Sequence, residues 1–333
     1  MGSIEEMSGQ SRMKAQHSGT NLSNTAIVFE GFCGDLSIMC TFLTLNVIFV
    51  LVGLFNNCLV VLVVWRNKAM RNPTNLLLSN NAIAEIIFLL ASGTDSVIHI
   101  LGLQYFTFAR PQSIMKARGW LVMIVTMSYL VVLMSLALLA VERYNALCHP
   151  MKIHRRLAKR SGKIATIIMW SIAFIFVLII TIAVGCNGWY FNRESLVFYC
   201  TVTASVSILS GFTIIYCYGA IIYGMYVSKT IFTQTCSVTV TDDMKSKRKI
   251  LRMLFSITLT FLATKLPMLI YTSIVLISNI SNDEVKCLII LFETLAHVSS
   301  FLSPVIYIAF SSNYRDGAKD LLRCGVRNRV ASQ

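Results

Sequence analysis

The sequence predicts an all-α membrane protein, a seven-transmembrane helix bundle with its N-terminus outside the cell. Composition, the length of the apolar stretches and the placement of positive charge carry that expectation. Of 333 residues, 56% are apolar and 13% charged, against roughly 45–50% and about 25% in soluble chains. The mean hydropathy is +0.68. Such a chain is too apolar for a soluble enzyme of this length and unlike a disordered segment. With 10 cysteines it is also no disulfide-built miniprotein.

Seven stretches reach the ~20 apolar residues that a membrane crossing needs: residues 36–65, 75–103, 119–147, 164–185, 202–228, 250–278 and 286–309. The segments between them are short, and no linker or internal repeat divides the chain. Residues 36–309 therefore read as one membrane domain, between an N-terminal segment (1–35) and a tail (310–333). The N-terminal segment lacks the apolar stretch of a cleavable signal peptide, which leaves the first span as the targeting signal.

The net charge of +14 would suit nucleic acid, but its placement points to a membrane topology instead. Twenty of the 29 basic residues fall on one face. They are Arg66, Lys68 and Arg71; Arg143, Lys152, Arg155, Arg156, Lys159, Arg160 and Lys163; Lys229, Lys245, Lys247, Arg248 and Lys249; and Arg315, Lys319, Arg323, Arg327 and Arg329. Basic loops stay in the cytoplasm, which puts the C-terminus inside and the N-terminus outside. The sequons at Asn21 and Asn279 then lie on the outer face as glycosylation candidates. Seven spans also disfavour inverted-repeat transporters, which usually have even halves.

The span ends carry an ordered set of motifs. Span 3 ends in Glu142-Arg143-Tyr144, followed by Cys148-His149-Pro150, and span 7 ends in Ser303-Pro304-Val305-Ile306-Tyr307. Asn56-Asn57 lies in span 1, Asn75 to Glu85 in span 2, Trp170 in span 4, Tyr218 in span 5, and Phe261 with Pro267 in span 6. In this order the motifs resemble the (D/E)RY, NPxxY and companion positions of rhodopsin-like (class A) G-protein-coupled receptors, over about residues 36–324. Tyr314-Arg315 resembles the aromatic-Arg pair that opens that family's short amphipathic helix after the seventh span, with Cys324 as a lipidation candidate.

The resemblance implies a plasma-membrane receptor that binds an extracellular peptide or polar small molecule and activates a heterotrimeric G protein through helix rearrangement. Glu142, Arg143 and Tyr144 would form a latch that contacts the G protein once freed, with Arg143 paired to Glu142; otherwise they are a snorkelling interface group. Tyr218, Phe261, Pro267, Pro304 and Tyr307 would belong to the switch, since a proline removes a backbone hydrogen bond and can kink its helix. The basic inner loops, including Lys245–Lys249, also suit anionic membrane lipids. Neither an enzyme nor a cofactor, metal or nucleic-acid partner is expected.

Asn57, Glu85 and Ser303 form a candidate polar core. The acid position of the family is an Asp that helps bind sodium. Here the acid is one methylene longer, Val132 stands where Ser is usual, and Ser303 replaces Asn. The alternative is a protonated Glu85 hydrogen-bonded to Asn57 and Ser303. Lys265 stands where the family has Trp, and a mid-membrane ammonium needs a partner. Glu293 or Glu85 would form an ion pair with it, and His297 shares the Glu293 face at i, i+4. The candidate ligand pocket comprises Asp95, His99, Val125, Tyr129, Lys265, Glu293 and His297, and its acids point to a basic ligand group.

His297 occupies the place of an opsin's retinal lysine, and Val125 that of an amine receptor's Asp, which argues against both subclasses. Arg118 replaces the span 3 cysteine of the family's disulfide. Cys33, Cys186, Cys200 and Cys287 remain as outer cysteines with three possible pairings, among them Cys186 with Cys200 and Cys33 with Cys287. Lys265, Glu85, Ser303 and the missing bridge cysteine support one alternative reading, a non-signalling seven-helix protein such as a decoy or heteromer partner, which the intact Glu142-Arg143-Tyr144 and Tyr307 oppose.

Overall fold

A computed structural model describes residues 36–105, 112–149, 157–186, 193–224, 240–278 and 283–330. Among these residues there are eight α-helices: α1 (Leu36–Arg66), α2 (Pro73–Tyr105), α3 (Gln112–Cys148), α4 (Lys159–Cys186), α5 (Arg193–Ile222), α6 (Val240–Ser278), α7 (Asp283–Phe310) and α8 (Ser312–Val330). Seven of them, α1 to α7, are long and apolar enough to cross a membrane. Most extend past the expected spans, because a helix need not stop where the lipid does. The fifth is the exception: its α-helix ends at Ile222 rather than 228, passing into a π turn at residues 223–224.

Local chemistry sets the first turn of the bundle. Asn72 Oδ1 accepts the Asn75 backbone N–H at 2.8 Å, and Pro73 occupies the first helical position, where a missing N–H costs nothing. Asn67 caps the preceding 3-10 turn, Lys68–Met70, through the Ala69 N–H at 3.0 Å. Arg71 donates to the Trp65 carbonyl, which ties the turn back to the end of α1.

The helices close into a ring. α1 packs on α2 and α7, α6 on α7, and α3 runs through the middle against α2, α4, α5 and α6. On α3, Leu133, Leu136, Leu139 and Ala140 are almost wholly buried. The large exposed apolar side chains, such as Leu51, Phe55, Leu209, Phe212 and Ile215, lie on the outside of the ring. Asn57, Glu85, Ser135, His297 and Ser300 are buried. Lipid is as apolar as leucine, so packing and interhelical hydrogen bonds hold such a bundle together. One such bond chain runs from Trp170 Nε1 to Asn80 Oδ1 at 2.8 Å, then from Asn80 Nδ2 to Ser135 Oγ at 2.8 Å.

Glycines permit the closest approaches of α1. A Cβ at Gly53 would lie 2.8 Å from Leu89 Cδ1, and one at Gly93 would lie 2.9 Å from Val50 Cγ2. α8 docks through buried Tyr314 and Ala318, with Gly317 against Val63. Gly53→Leu is expected to lower stability by about 1–3 kcal/mol through overpacking, as read by thermal unfolding in detergent. Gly211→Ala, whose Cβ would meet nothing within 4 Å, is the control and should cost nothing.

Candidate functional site

A cavity of about 310 Å³ opens among α2, α3, α5, α6 and α7. Phe88, Val122, Val125, Met268, Leu269, Val275 and Ala296 give it apolar walls, and Ser92, Thr126, Thr203, Tyr129 and Tyr199 contribute hydroxyls. Three charged residues, Asp95, Lys265 and Glu293, complete the polar lining. Of the residues expected here, Asp95, Val125, Tyr129, Lys265 and Glu293 therefore line it. The His99 side chain lies outside the described residues.

The aromatic end is held by specific bonds. Tyr129 stacks on Phe261, centroids 5.7 Å apart and planes at 19°, with its hydroxyl 3.1 Å from Ser207 Oγ. Tyr199 Oη lies 3.1 Å from Thr126 Oγ1. These pairs join α3 to α5 and α6.

Lys265 Nζ lies 2.7 Å from Glu85 Oε2, with both side chains almost fully buried. Glu85, rather than Glu293, is thus its partner. Ser300 Oγ donates to the same carboxylate oxygen at 2.5 Å. The expected bonds from Glu85 to Asn57 and Ser303 are not formed. Asn57 Nδ2 donates to the Gly53 and Ser300 carbonyls at 2.8 and 2.9 Å, and Ser303 Oγ donates to the Ser299 carbonyl at 3.0 Å. The Gly53 and Ser299 carbonyls lie one turn back on the same helix, nearer to hand than a carboxylate on a neighbouring helix, and the Ser300 carbonyl takes the second Asn57 proton across from α7.

The second charged contact was not legible in the sequence. Arg118, read only as a lost cysteine, grips Asp95 with Nε to Oδ1 at 2.8 Å and Nη2 to Oδ2 at 3.3 Å. A two-point grip is the geometry the guanidinium fork favours. Glu293 accepts from Ser96 Oγ at 3.0 Å and forms no ion pair among the described residues.

His297 departs from its expected place and does not line the cavity. It sits behind the wall, fully buried, with Nδ1 2.5 Å from Asn46 Oδ1 and Nε2 2.7 Å from Ser92 Oγ. The Asn46 carbonyl oxygen can only accept, so Nδ1–H is the donor. His297 therefore ties α7 to α1 and α2.

At the other end of the bundle, Glu142 Oε2 accepts the Leu157 backbone N–H at 2.8 Å. This carboxylate is thus directed at the segment leading into α4. Tyr144 packs edge-on to His149 at 5.3 Å and beside Tyr216 at 5.9 Å. Tyr218 is buried edge-on to Phe255 at 5.8 Å. Tyr307 is buried against Tyr314 at 5.8 Å. α6 and α7 run unbroken through Pro267 and Pro304.

Cys200 is a buried free thiol two turns into α5, which corrects the expected Cys186–Cys200 bridge. The reason is its position on the helix: the side chain is buried rather than offered to the loop before α5. Cys33, Asn21 and Asn279 lie outside the described residues, as do the side chains of Cys186, Cys287 and Cys324.

Breaking a buried ion pair from one side strands a charge, at a cost of about 3–5 kcal/mol, whereas replacing both partners is close to neutral. Lys265→Ala is therefore expected to lose about 3–5 kcal/mol of stability, and Lys265→Met with Glu85→Leu to recover most of it. Thermal unfolding in detergent, run as a double-mutant cycle, measures both.

Comparison with known proteins agrees with this architecture. The family described as 7 transmembrane receptor (rhodopsin family) matches residues 56–307. The somatostatin receptor type 2 of Sus scrofa is 25% identical over 290 residues, 82% of this chain and 74% of that protein. The QRFP-like peptide receptor of Branchiostoma floridae is 24% identical over 320 residues, 87% of this chain and 79% of that one. The rhodopsin of Sminthopsis crassicaudata is 25% identical over 294 residues, 83% and 80% of the two chains. The seven crossings, the ordered motifs and the family match together show that the chain is a multi-pass plasma-membrane protein belonging to the rhodopsin family of seven-transmembrane receptors, the class A G-protein-coupled receptors.

Proposed function

We propose that this receptor takes an extracellular peptide that inserts a basic group into the cavity, with Glu293 as its anchor, and that it activates a heterotrimeric G protein at the Arg143 end. The observation that carries the ligand reading is the balance of charge around the cavity. Arg118 neutralises Asp95 and Lys265 neutralises Glu85, which leaves Glu293 as the cavity acid without an ion pair among the described residues. A carboxylate buried with one hydroxyl donor gains most from a cationic partner.

The cavity volume, about 310 Å³, is at the small end of ligand sites. It holds one or two side chains, with Tyr129 and Tyr199 facing the apolar part. The rest of a peptide stays outside. Relatives named as receptors for somatostatin and for a QRFP-like peptide fit a peptide ligand. The excess of basic residues on the loops beside Arg143 supports a cytoplasmic position for that end.

The test is G-protein activation in cells expressing the full chain, across all G-protein classes, with a library of basic and neutral peptides. Arg143→Ala should abolish the signal while leaving surface expression intact. Glu293→Gln should weaken a basic agonist about 10- to 100-fold, the value of one charged hydrogen bond. Equal potency of that agonist on Glu293→Gln would remove the anchor. Silence of a surface-expressed receptor toward the whole library would favour the non-signalling alternative.

A further inference from the structure

A carboxylate buried at mid-membrane needs a positive charge, and in receptors that resemble this one the acid at this place helps bind sodium. The residues around Glu85 do not fit that ion. Lys265 Nζ already lies 2.7 Å from Glu85 Oε2. The Phe88 ring lies 3.7 Å and the Phe261 ring 5.3 Å from the same nitrogen, both placed for a cation–π contact. A sodium ion entering here would share one carboxylate with an ammonium.

The oxygens around the acid are also engaged. Ser300 Oγ turns its proton to Glu85, and Ser303 Oγ donates to the Ser299 carbonyl. Val132 presents only hydrocarbon, and it is 2% exposed. Asn57 Oδ1 is buried without a donor, but one amide oxygen is not the oxygen-rich shell that a hard cation requires.

We propose that Lys265 is a tethered counter-ion that takes the place of a diffusible cation at Glu85, making the core indifferent to sodium, and that removing its charge lets sodium take its place on the Glu85 carboxylate, with the Ser300 hydroxyl, the Asn57 amide oxygen and water completing the oxygen shell. The proposal requires no ligand and no G protein, so it stands apart from the peptide reading.

The experiment compares thermal unfolding of the purified full chain in sodium chloride and in choline chloride at equal ionic strength. The wild type should unfold at the same temperature in both. Lys265→Met should be destabilised in choline and gain about 3 °C in sodium, as expected for an ion that binds only the folded state. Lys265→Met with Glu85→Gln should lose that gain, because no carboxylate is left to neutralise. A sodium-selective rise in the wild type overturns the proposal, as does a Lys265→Met chain indifferent to sodium. If Lys265→Met can be purified only in sodium, the proposal is supported. If it fails in both salts while the double variant folds, sodium has not replaced the ammonium and the proposal falls.

Discussion

The ion pair between Glu85 and Lys265 is the constraint on which the rest of the bundle depends. One carboxylate oxygen receives the α6 ammonium and the α7 hydroxyl of Ser300, while the Ser300 carbonyl receives Asn57 from α1. Four helices thus meet within two bonds of a single α2 side chain. A lone charge at the bilayer centre costs about 2.5–3.5 kcal/mol on insertion scales, so each partner offsets a cost the other would carry alone. Each of the two departures from the family pattern, Glu for Asp and Lys for Trp, is intelligible only in the company of its partner.

The same compensation recurs nearer the ligand cavity. Arg118 stands where a cysteine would fasten α3 to a loop, and it fastens α3 to α2 through Asp95 instead. A disulfide constrains chain entropy whatever the surrounding charge. A guanidinium–carboxylate pair also sets the field inside the cavity, because it consumes one of the two acids facing it. The two substitutions leave Glu293 as the cavity acid without an ion pair among the described residues, and so the positions that lost a family feature also shape the cavity.

Much of the architecture was legible from apolar length alone, because a membrane crossing demands a run that few other structures need. The order of the motifs placed Arg143, Tyr218 and Tyr307 on their helices. Partner choice was less accessible. Helical spacing puts Glu293 and His297 on one face, but it says nothing of the distance to a different helix, and Lys265 therefore had two candidate acids. Arg118 looked like a mere absence, since a residue that replaces a cysteine leaves no trace of what it bonds. His297 was misplaced because mid-helix polarity marks a buried face without distinguishing a cavity wall from the seam behind it. Glu142 binds a backbone N–H fifteen residues on, a contact made by the fold of the following segment rather than by any local pattern.

Lys265 joins the ligand cavity to the helix that carries Pro267 two residues further on. Shifting a two-state receptor from almost wholly inactive to almost wholly active takes about 5.5 kcal/mol of differential ligand affinity. Parting the ammonium from Glu85 would by itself consume about 3–5 kcal/mol, most of what a ligand supplies. The magnitudes favour a movement that keeps the pair intact and turns the remainder of α6 about it. In that geometry the pair would serve as a fulcrum: the segment of α6 preceding Lys265, which packs Leu254 and Ile257 in the core beside Tyr218, would swing while the cavity end stayed fixed to α2. The ligand would then have to differentiate between two positions of a lever, and the charge at its pivot need never leave its partner.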